Sequence, residues 1–441
     1  MTAPVWLPIA ILFGGVALGL IFGLPMAFTL GGSAIIAAFI LVGQQTFTFV
    51  ALTTFSKMRD IILIAMPLFI FMACVLEKSG VADDLYGAMH QWMGPLRGGL
   101  AMATVVICTV IAAMSGVSTA GVVTMGIVAL PVMLRKGYHK TMAIGPILAG
   151  GALGILIPPS ISFIVYAMLT RVSIGKLFAG GLIPGLILSF LYMAYIGIRC
   201  YFQPHLGPPI PPEERVSLKK KIVLSRALIL PILLVVGVLG SIFGGVASPT
   251  EAAAIGAAGS IICAAVHRHL NWQLVKAACY RTFAVSGMVM WIIFGAICFS
   301  NIFIMTGSSE LVEELVLGLE INPFYIVLIM MFSYLVLGCF VDELTILVLT
   351  LPIYIPILLE LGYTPLWFGV LFIINMQVGY LSPPFGYTLF YMKAIAPPGV
   401  TIADIYRSIL PFIPIQIGVI ILVMFFPQLA LWLPEVVFGL K

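Results

Sequence analysis

Apolar runs of about 20 residues follow one another along this chain almost without pause, each long enough to cross the hydrocarbon core of a bilayer. No water-facing surface can be built around them, because 8% of the 441 residues are charged, against roughly 25% in a soluble domain. The first run, Trp6 to Phe28, has no charged n-region and no small-residue cleavage site, so it reads as a membrane span and not as a signal peptide. The expected fold class is therefore an all-α polytopic membrane protein, seated in the lipid bilayer with almost no extramembrane mass.

Several function classes fall away at once. Cys74, Cys108, Cys200, Cys263, Cys279, Cys298 and Cys339 lie within or beside apolar runs without paired spacing, which argues against a disulfide framework or zinc site. They read as small packing residues. The net charge of +5 sits in short loops, as membrane orientation alone requires, so no nucleic acid partner is implied. An intramembrane protease needs a base or metal ligands at membrane depth. His90, His139, His205, His267 and His269 all fall in loops or at span ends, so the chain does not read as an enzyme.

The chain is written twice. Gly137-Tyr138 recurs as Gly362-Tyr363, Pro158-Pro159 as Pro383-Pro384 and Tyr166 as Tyr391, each at an offset of 225. Ser79-Gly80 matches Thr306-Gly307 and Pro184 matches Pro411 at 227, and Ser173-Ile174 matches Thr401-Ile402 at 228. The units are about 1–205 and 224–435, joined by a polar linker, Gln203 to Lys221. In finer division, helices of 1–58 precede a segment of 59–202, with a hairpin at 98–134 and a broken helix at 141–170. After the 203–223 linker come helices at 224–280. A segment of 281–435 then carries a hairpin at 323–359 and a broken helix at 366–393.

Charge gives each unit a direction. Arg215 and Lys219-Lys220-Lys221 make the linker cytoplasmic, and Arg97 with Arg135, Lys136 and Lys140 place both ends of stretch 98–134 on that side. The matching stretch 323–359 is flanked by Glu310, Glu313, Glu314, Glu320 and Glu360, and no Lys, Arg or His occurs from Thr282 to Met392. Both its ends read as external. Two re-entrant hairpins entering from opposite sides make the repeat inverted, the plan of many secondary transporters.

Four interruptions carry the chemistry. Ser115-Gly116-Val117-Ser118-Thr119 lies at the centre of 37 uncharged residues, too many for one span of about 20. A hairpin turning there exposes carbonyls and hydroxyls suited to a small hard cation. The alternative is a Gly/Ser helix-packing face. The second interruption, Gly150 to Ser160, contains Pro159, whose ring and missing N–H cost an unbroken helix about 3 kcal/mol. A kinked structural helix is its alternative. The third, Gly379 to Gly386, repeats that pattern. The fourth, Val341-Asp342-Glu343-Leu344-Thr345, aligns with the first tip. A carboxylate at the bilayer centre costs about 2.5–3.5 kcal/mol on insertion scales, so it calls for a cation, a proton or a structural salt bridge. Asn375 and Gln377, ahead of the third break, either line the same cavity or bridge helices.

Over nearly its whole length the chain resembles the large membrane (M) subunit of tripartite ATP-independent periplasmic (TRAP) transporters. The matching segments are Ser115-Gly116, Gly154 through Ser160, Pro249-Thr-Glu-Ala-Ala-Ala254, the Asp342 hairpin and Asn375 through Gly386. Val117 departs from the Ser-Gly-Ser of the family's first tip, which shifts that ligand to Ser118. The resemblance implies an elevator-type carrier, importing a small organic acid anion by secondary active sodium symport, with no cofactor beyond the coupling ion. Sodium would be held by Ser115, Gly116, Ser118 and Gly154 at one tip and by Asp342, Thr345, Gly379 and Ser382 at the other. Substrate would meet Ser118, Thr119, Pro158, Ser160, Asn375, Gln377, Ser382 and Pro383. The wording around Asn375 and Gly386 resembles carriers of oxo acids and other monocarboxylates more than dicarboxylate carriers. The implied partners are a small four-helix membrane (Q) subunit and a periplasmic substrate-binding (P) protein. The implied place is the bacterial inner membrane, with both termini periplasmic. A dicarboxylate-specific TRAP carrier or a stand-alone sodium-coupled symporter is the alternative.

Overall fold

In hydrocarbon every backbone N–H and C=O must find its partner inside its own segment, and a helix achieves this at any length. In the computed structural model every regular element among the described residues is accordingly a helix. Those residues are 6–41, 43–319, 321–383 and 386–439, so Pro384-Phe385 of the second proline break, Glu320 and the extreme termini lie outside them.

The first half opens with α1 (Trp6–Ile21), α2 (Met26–Leu41) and α3 (Gln45–Met58), followed by α4 (Ile62–Lys78) and α5 (Val81–Met93). Next come α6 (Gly99–Ser115), α7 (Ser118–Arg135), α8 (Lys140–Ala152), α9 (Ile161–Thr170) and the long α10 (Ile174–Phe202). The second half begins with α11 (Leu218–Phe243), α12 (Pro249–Val266) and the 34-residue α13 (Trp272–Met305), then α14 (Ser308–Leu317). It continues with α15 (Pro323–Gly338), α16 (Glu343–Glu360), α17 (Pro365–Leu381) and α18 (Tyr387–Ile395). The chain closes with α19 (Ile402–Ile409), α20 (Ile413–Phe425) and α21 (Gln428–Phe438).

The element order of one half thus returns in the other. Helices α7 and α16 start 225 residues apart, as do α8 and α17, and α5 and α14 start 227 apart. The turns after α7 and α16 fall on Gly137 (φ +80°) and Gly362 (φ +78°), a left-handed conformation that glycine adopts without a Cβ penalty. The halves differ where α13 is continuous and its counterpart is split between α3 and α4.

Among the described residues six helices or merged helices are each long and apolar enough to cross a membrane, or up to eight if each bent pair counts as one span. Large apolar side chains such as Phe22, Phe202, Trp272 and Phe283 stand exposed, as expected where lipid is the solvent. Helices α8 and α17 are the opposite case. Met142 through Ala152 and Leu366 through Leu381 are buried on every face, which marks helices at the centre of a larger body. Elsewhere α12 packs along α4 and α13 along α2.

The linker is not a free tether. Between α10 and α11 it runs from residue 203 to 217, and the three lysines 219–221 already belong to α11. Gly98 N donates to Gly207 O (2.8 Å) and His139 N to Leu206 O (3.0 Å), so both outer ends of the α6–α7 hairpin are bound to one strap. Ile210 N adds a bond to Gly94 O (2.9 Å), and Lys136 pairs with Glu214. Tyr138 Oη accepts from Leu100 N (3.1 Å) and ties the two ends directly.

Candidate transport site

The first hairpin turns in two residues. Helix α6 stops at Ser115, Gly116 takes φ +65°, Val117 is extended, and α7 starts at Ser118. Ser115 Oγ donates across the turn to Val117 O (3.3 Å), and Ser118 is 1% exposed. Thr119 follows in the first turn of α7, half-buried.

The tip rests in the first broken helix. Helix α8 ends at Ala152, a single tight turn covers Leu153–Ile155, and a cis peptide joins Pro158 to Pro159 before α9 restarts at Ile161. Ile161 N donates to Gly116 O (3.4 Å). A Cβ on Gly154 would stand 2.6 Å from Val117 O, so only glycine lets the two backbones come this close. Ser160 Oγ accepts from Phe163 N (3.4 Å), capping α9, and donates to Ile155 O (2.5 Å). Residues 151 to 168 are buried throughout, Pro158 and Ser160 included. Bare backbone at this depth is tolerated where protein surrounds it or it lines a cavity.

The second hairpin turns at Cys339–Asp342. Asp342 caps α16, its Oδ1 accepting from Thr345 N (3.1 Å) and its Oδ2 from Thr345 Oγ1 (2.6 Å). Thr345 is fully buried. Glu343, the next residue, is 8% exposed and crosses to the other half, accepting from Ser162 Oγ on α9 at 2.6 Å through Oε1. Its Oε2 accepts no hydrogen bond, and the Tyr380 phenol lies beside the same carboxylate. A cavity of about 190 Å³ opens next to Asp342, walled by Gly338, Phe340, Tyr387 and Phe390.

The second broken helix departs from its expected bounds. Helix α17 runs through Gly379 and Tyr380 to Leu381, so Gly379 stands in a helical turn and not in unwound chain. The reason is local: proline disfavours helix at the residue before it, which here is Ser382 and not Gly379. Gly379 instead serves close packing, since a Cβ there would lie 2.9 Å from Gly338 Cα on the hairpin arm. Ser382 Oγ donates to Val378 O (2.7 Å), and Pro383 is exposed. Asn375 Nδ2 donates to Met331 O (2.6 Å), so this amide bridges α17 to α15. Gln377 is fully buried, and neither polar atom of its amide has a partner.

The proposed cation and substrate residues thus fall into two clusters. Ser115, Gly116 and Ser118 meet Gly154 and the 158–160 break. Asp342 and Thr345 stand where the Gly338–Gly379 contact brings hairpin and broken helix together. The Ser162–Glu343 bond joins the clusters. Ser162, Glu343 and Tyr380 escaped the sequence-level residue set. Glu343 shared the charge signal of Asp342, but a lone hydroxyl such as Ser162 in an apolar helix gives no local sign of its partner. Four helices, α7, α9, α16 and α18, start at the breaks, and each N-terminus carries about half a positive charge. The facing C-terminal carbonyls of α6, α8, α15 and α17 offer oxygen to cations.

The family model for the tripartite ATP-independent periplasmic transporter, DctM component, matches residues 13–429. The C4-dicarboxylate TRAP transporter large permease protein DctM of Pseudomonas aeruginosa is 33% identical over 386 residues, 87% of this chain and 89% of its own length. The isethionate TRAP transporter permease protein DctMQ of Oleidesulfovibrio alaskensis is 31% identical over 426 residues, and the match covers 96% of this chain and 66% of that longer protein. Among solved structures, the YdaH transporter of Alcanivorax borkumensis superposes with a TM-score of 0.62 at 15% identity, over 96% of this chain and 98% of its own, a likeness of fold.

Proposed function

The chain belongs to the tripartite ATP-independent periplasmic transporter family as its DctM component, and on that footing we propose that it imports a small organic acid anion by sodium symport, receiving it from a periplasmic binding protein. Sodium binds at both hairpin tips, at Ser115, Gly116, Ser118 and Gly154 and at Asp342, Thr345, Gly379 and Ser382. The anion lies between the tips, faced by the four helix N-termini and by Ser118, Thr119, Pro158, Ser160, Gln377 and Pro383. Asn375 supports the site through its bond to Met331. An oxo acid or another monocarboxylate is the favoured cargo.

One observation carries this reading. In each half a hairpin tip is docked against a broken helix deep in the protein, with Gly116 against Pro159 and Gly154 against Val117 in the first half and Gly338 against Gly379 in the second. Carbonyl oxygens for cations and N–H groups for an anion are thereby held side by side. The halves are two oppositely oriented copies, with a scaffold of 1–58 and 224–280 against which 59–202 and 281–435 move as an elevator. Both termini are periplasmic, and a small four-helix membrane subunit is the partner. If two sodium ions accompany one monocarboxylate, net +1 charge enters, and the membrane potential contributes about 2.3 kcal/mol per 100 mV.

Uptake by proteoliposomes holding the large and small subunits, with the binding protein outside, is the test. Uptake should follow an inward sodium gradient and a negative interior, without ATP. Accumulation that is indifferent to sodium would remove the coupling. Purification without a four-helix companion and full activity alone would favour a stand-alone carrier.

A further inference from the structure

Among the described residues Glu343 is the only charged side chain that is buried. None of the ion pairs among those residues involves it, and no basic residue lies between 282 and 392 in sequence. Ser162 Oγ satisfies Oε1, while Oε2 is shut from solvent with only the Tyr380 phenol beside the carboxylate to serve it. A desolvated carboxylate in such a place needs a compensating positive charge or a proton. The N-terminus of α16 supplies about half of one. Asp342 next to it is only half-buried, and both its oxygens already accept from Thr345.

We propose that Glu343 is a ligand of a sodium ion held between the two halves, with Oε2 as its charged oxygen and the hydroxyls of Ser162 and Tyr380 beside it. One carboxylate with neutral hydroxyls matches a monovalent charge, and oxygen is the ligand a hard cation takes. The site differs from those at the two tips because its ligands belong to both halves, Ser162 to α9 and Glu343 to the hairpin that faces it. An ion here neutralises the carboxylate that would otherwise repel an anionic substrate, and it ties the second tip to the first broken helix. The inference rests on the sodium-coupled reading above.

The test is thermal unfolding of the purified chain with its small subunit in nanodiscs, titrated with sodium chloride against choline chloride at constant total salt. Glutamine keeps the size of Glu343 and its bond to Ser162 without the charge. E343Q should need about tenfold more sodium for the half-maximal shift, the loss usual when a metal site is weakened. S162A and Y380F should move the same midpoint in the same direction by less. If the native complex responds to sodium and E343Q responds identically, Glu343 is a neutral group and the inference falls, while the sodium-coupled reading stands. If the native complex does not distinguish sodium from choline, both fall. Where E343Q does not fold, an unchanged midpoint in both S162A and Y380F overturns the proposal.

Discussion

The carbonyl oxygen of Pro159 lies 2.5 Å from the position that a Cβ on Gly116 would occupy, and Gly116 holds φ at +65°. Two independent constraints therefore fall on one residue. A left-handed conformation costs an L-residue about 1–2 kcal/mol, and a methyl group here also pushes the first hairpin off the proline break. G116A should lower stability by about 2 kcal/mol or more and abolish uptake, whereas S115A, which removes one bond to Val117 O, should keep most of its stability. Thermal unfolding and proteoliposome uptake of the two variants check this order.

The second half meets its broken helix in another way. Gly338 and Gly379 both lie in helices, α15 and α17, so an alanine at either suffers no conformational strain and only the contact counts. A Cβ on Gly379 would approach Gly338 Cα to 2.9 Å, and one on Gly338 would approach Gly379 Cα to 3.2 Å. G379A should therefore impair uptake more than G338A, with both complexes assembling. The reverse order, or two silent variants, would show that the second hairpin does not need this approach.

Asn375 and Gln377, two residues apart on a fully buried helix, should separate in their effects. Asn375 spends a donor on Met331 O, a helix-to-helix bond of a kind worth about 0.6 kcal/mol in membrane proteins. N375A should cost stability of that order and leave the apparent substrate affinity near that of the native protein. Gln377 has no partner in the protein, so Q377A should not destabilise, and its loss should appear in substrate affinity. Unfolding and concentration-dependent uptake, measured on both variants, distinguish the two roles.

Some of this was legible in the chain because its causes are local. A stretch of 37 uncharged residues is longer than one span, and a proline pair stops a helix wherever it stands. Both effects act within a few residues, so the first turn appears at Gly116-Val117 and the breaks appear next to Pro158 and Pro383. The end of the second break depended on a finer rule, that proline disfavours helix at the residue before it, which leaves Gly379 helical. The Ser162–Glu343 bond was not legible. Its partners are 181 residues apart, and no periodicity or spacing within either helix encodes which side chain across the protein completes the pair.

The strap over the first hairpin yields a prediction about sidedness. Gly98 and His139, at the two outer ends of α6 and α7, both donate to linker residues 206 and 207, and Lys136 pairs with Glu214 of the same linker. Three consecutive lysines follow that linker, at 219 to 221. Such a cluster stays cytoplasmic, and it carries both hairpin ends with it. Arg97 and Arg135 are exposed at those ends, and Leu319 and Glu360 are exposed at the corresponding ends of the α15–α16 hairpin. Cys279 is the exposed native thiol among the seven, so the background for labelling is C279S. In that background R97C and R135C should react with a membrane-impermeant maleimide only from the cytoplasmic side. L319C and E360C should react only from the periplasm. Labelling of R97C and R135C from different sides would mean that α6 and α7 together cross the bilayer once, and there would then be no re-entrant hairpin with a tip at mid-membrane to hold an ion.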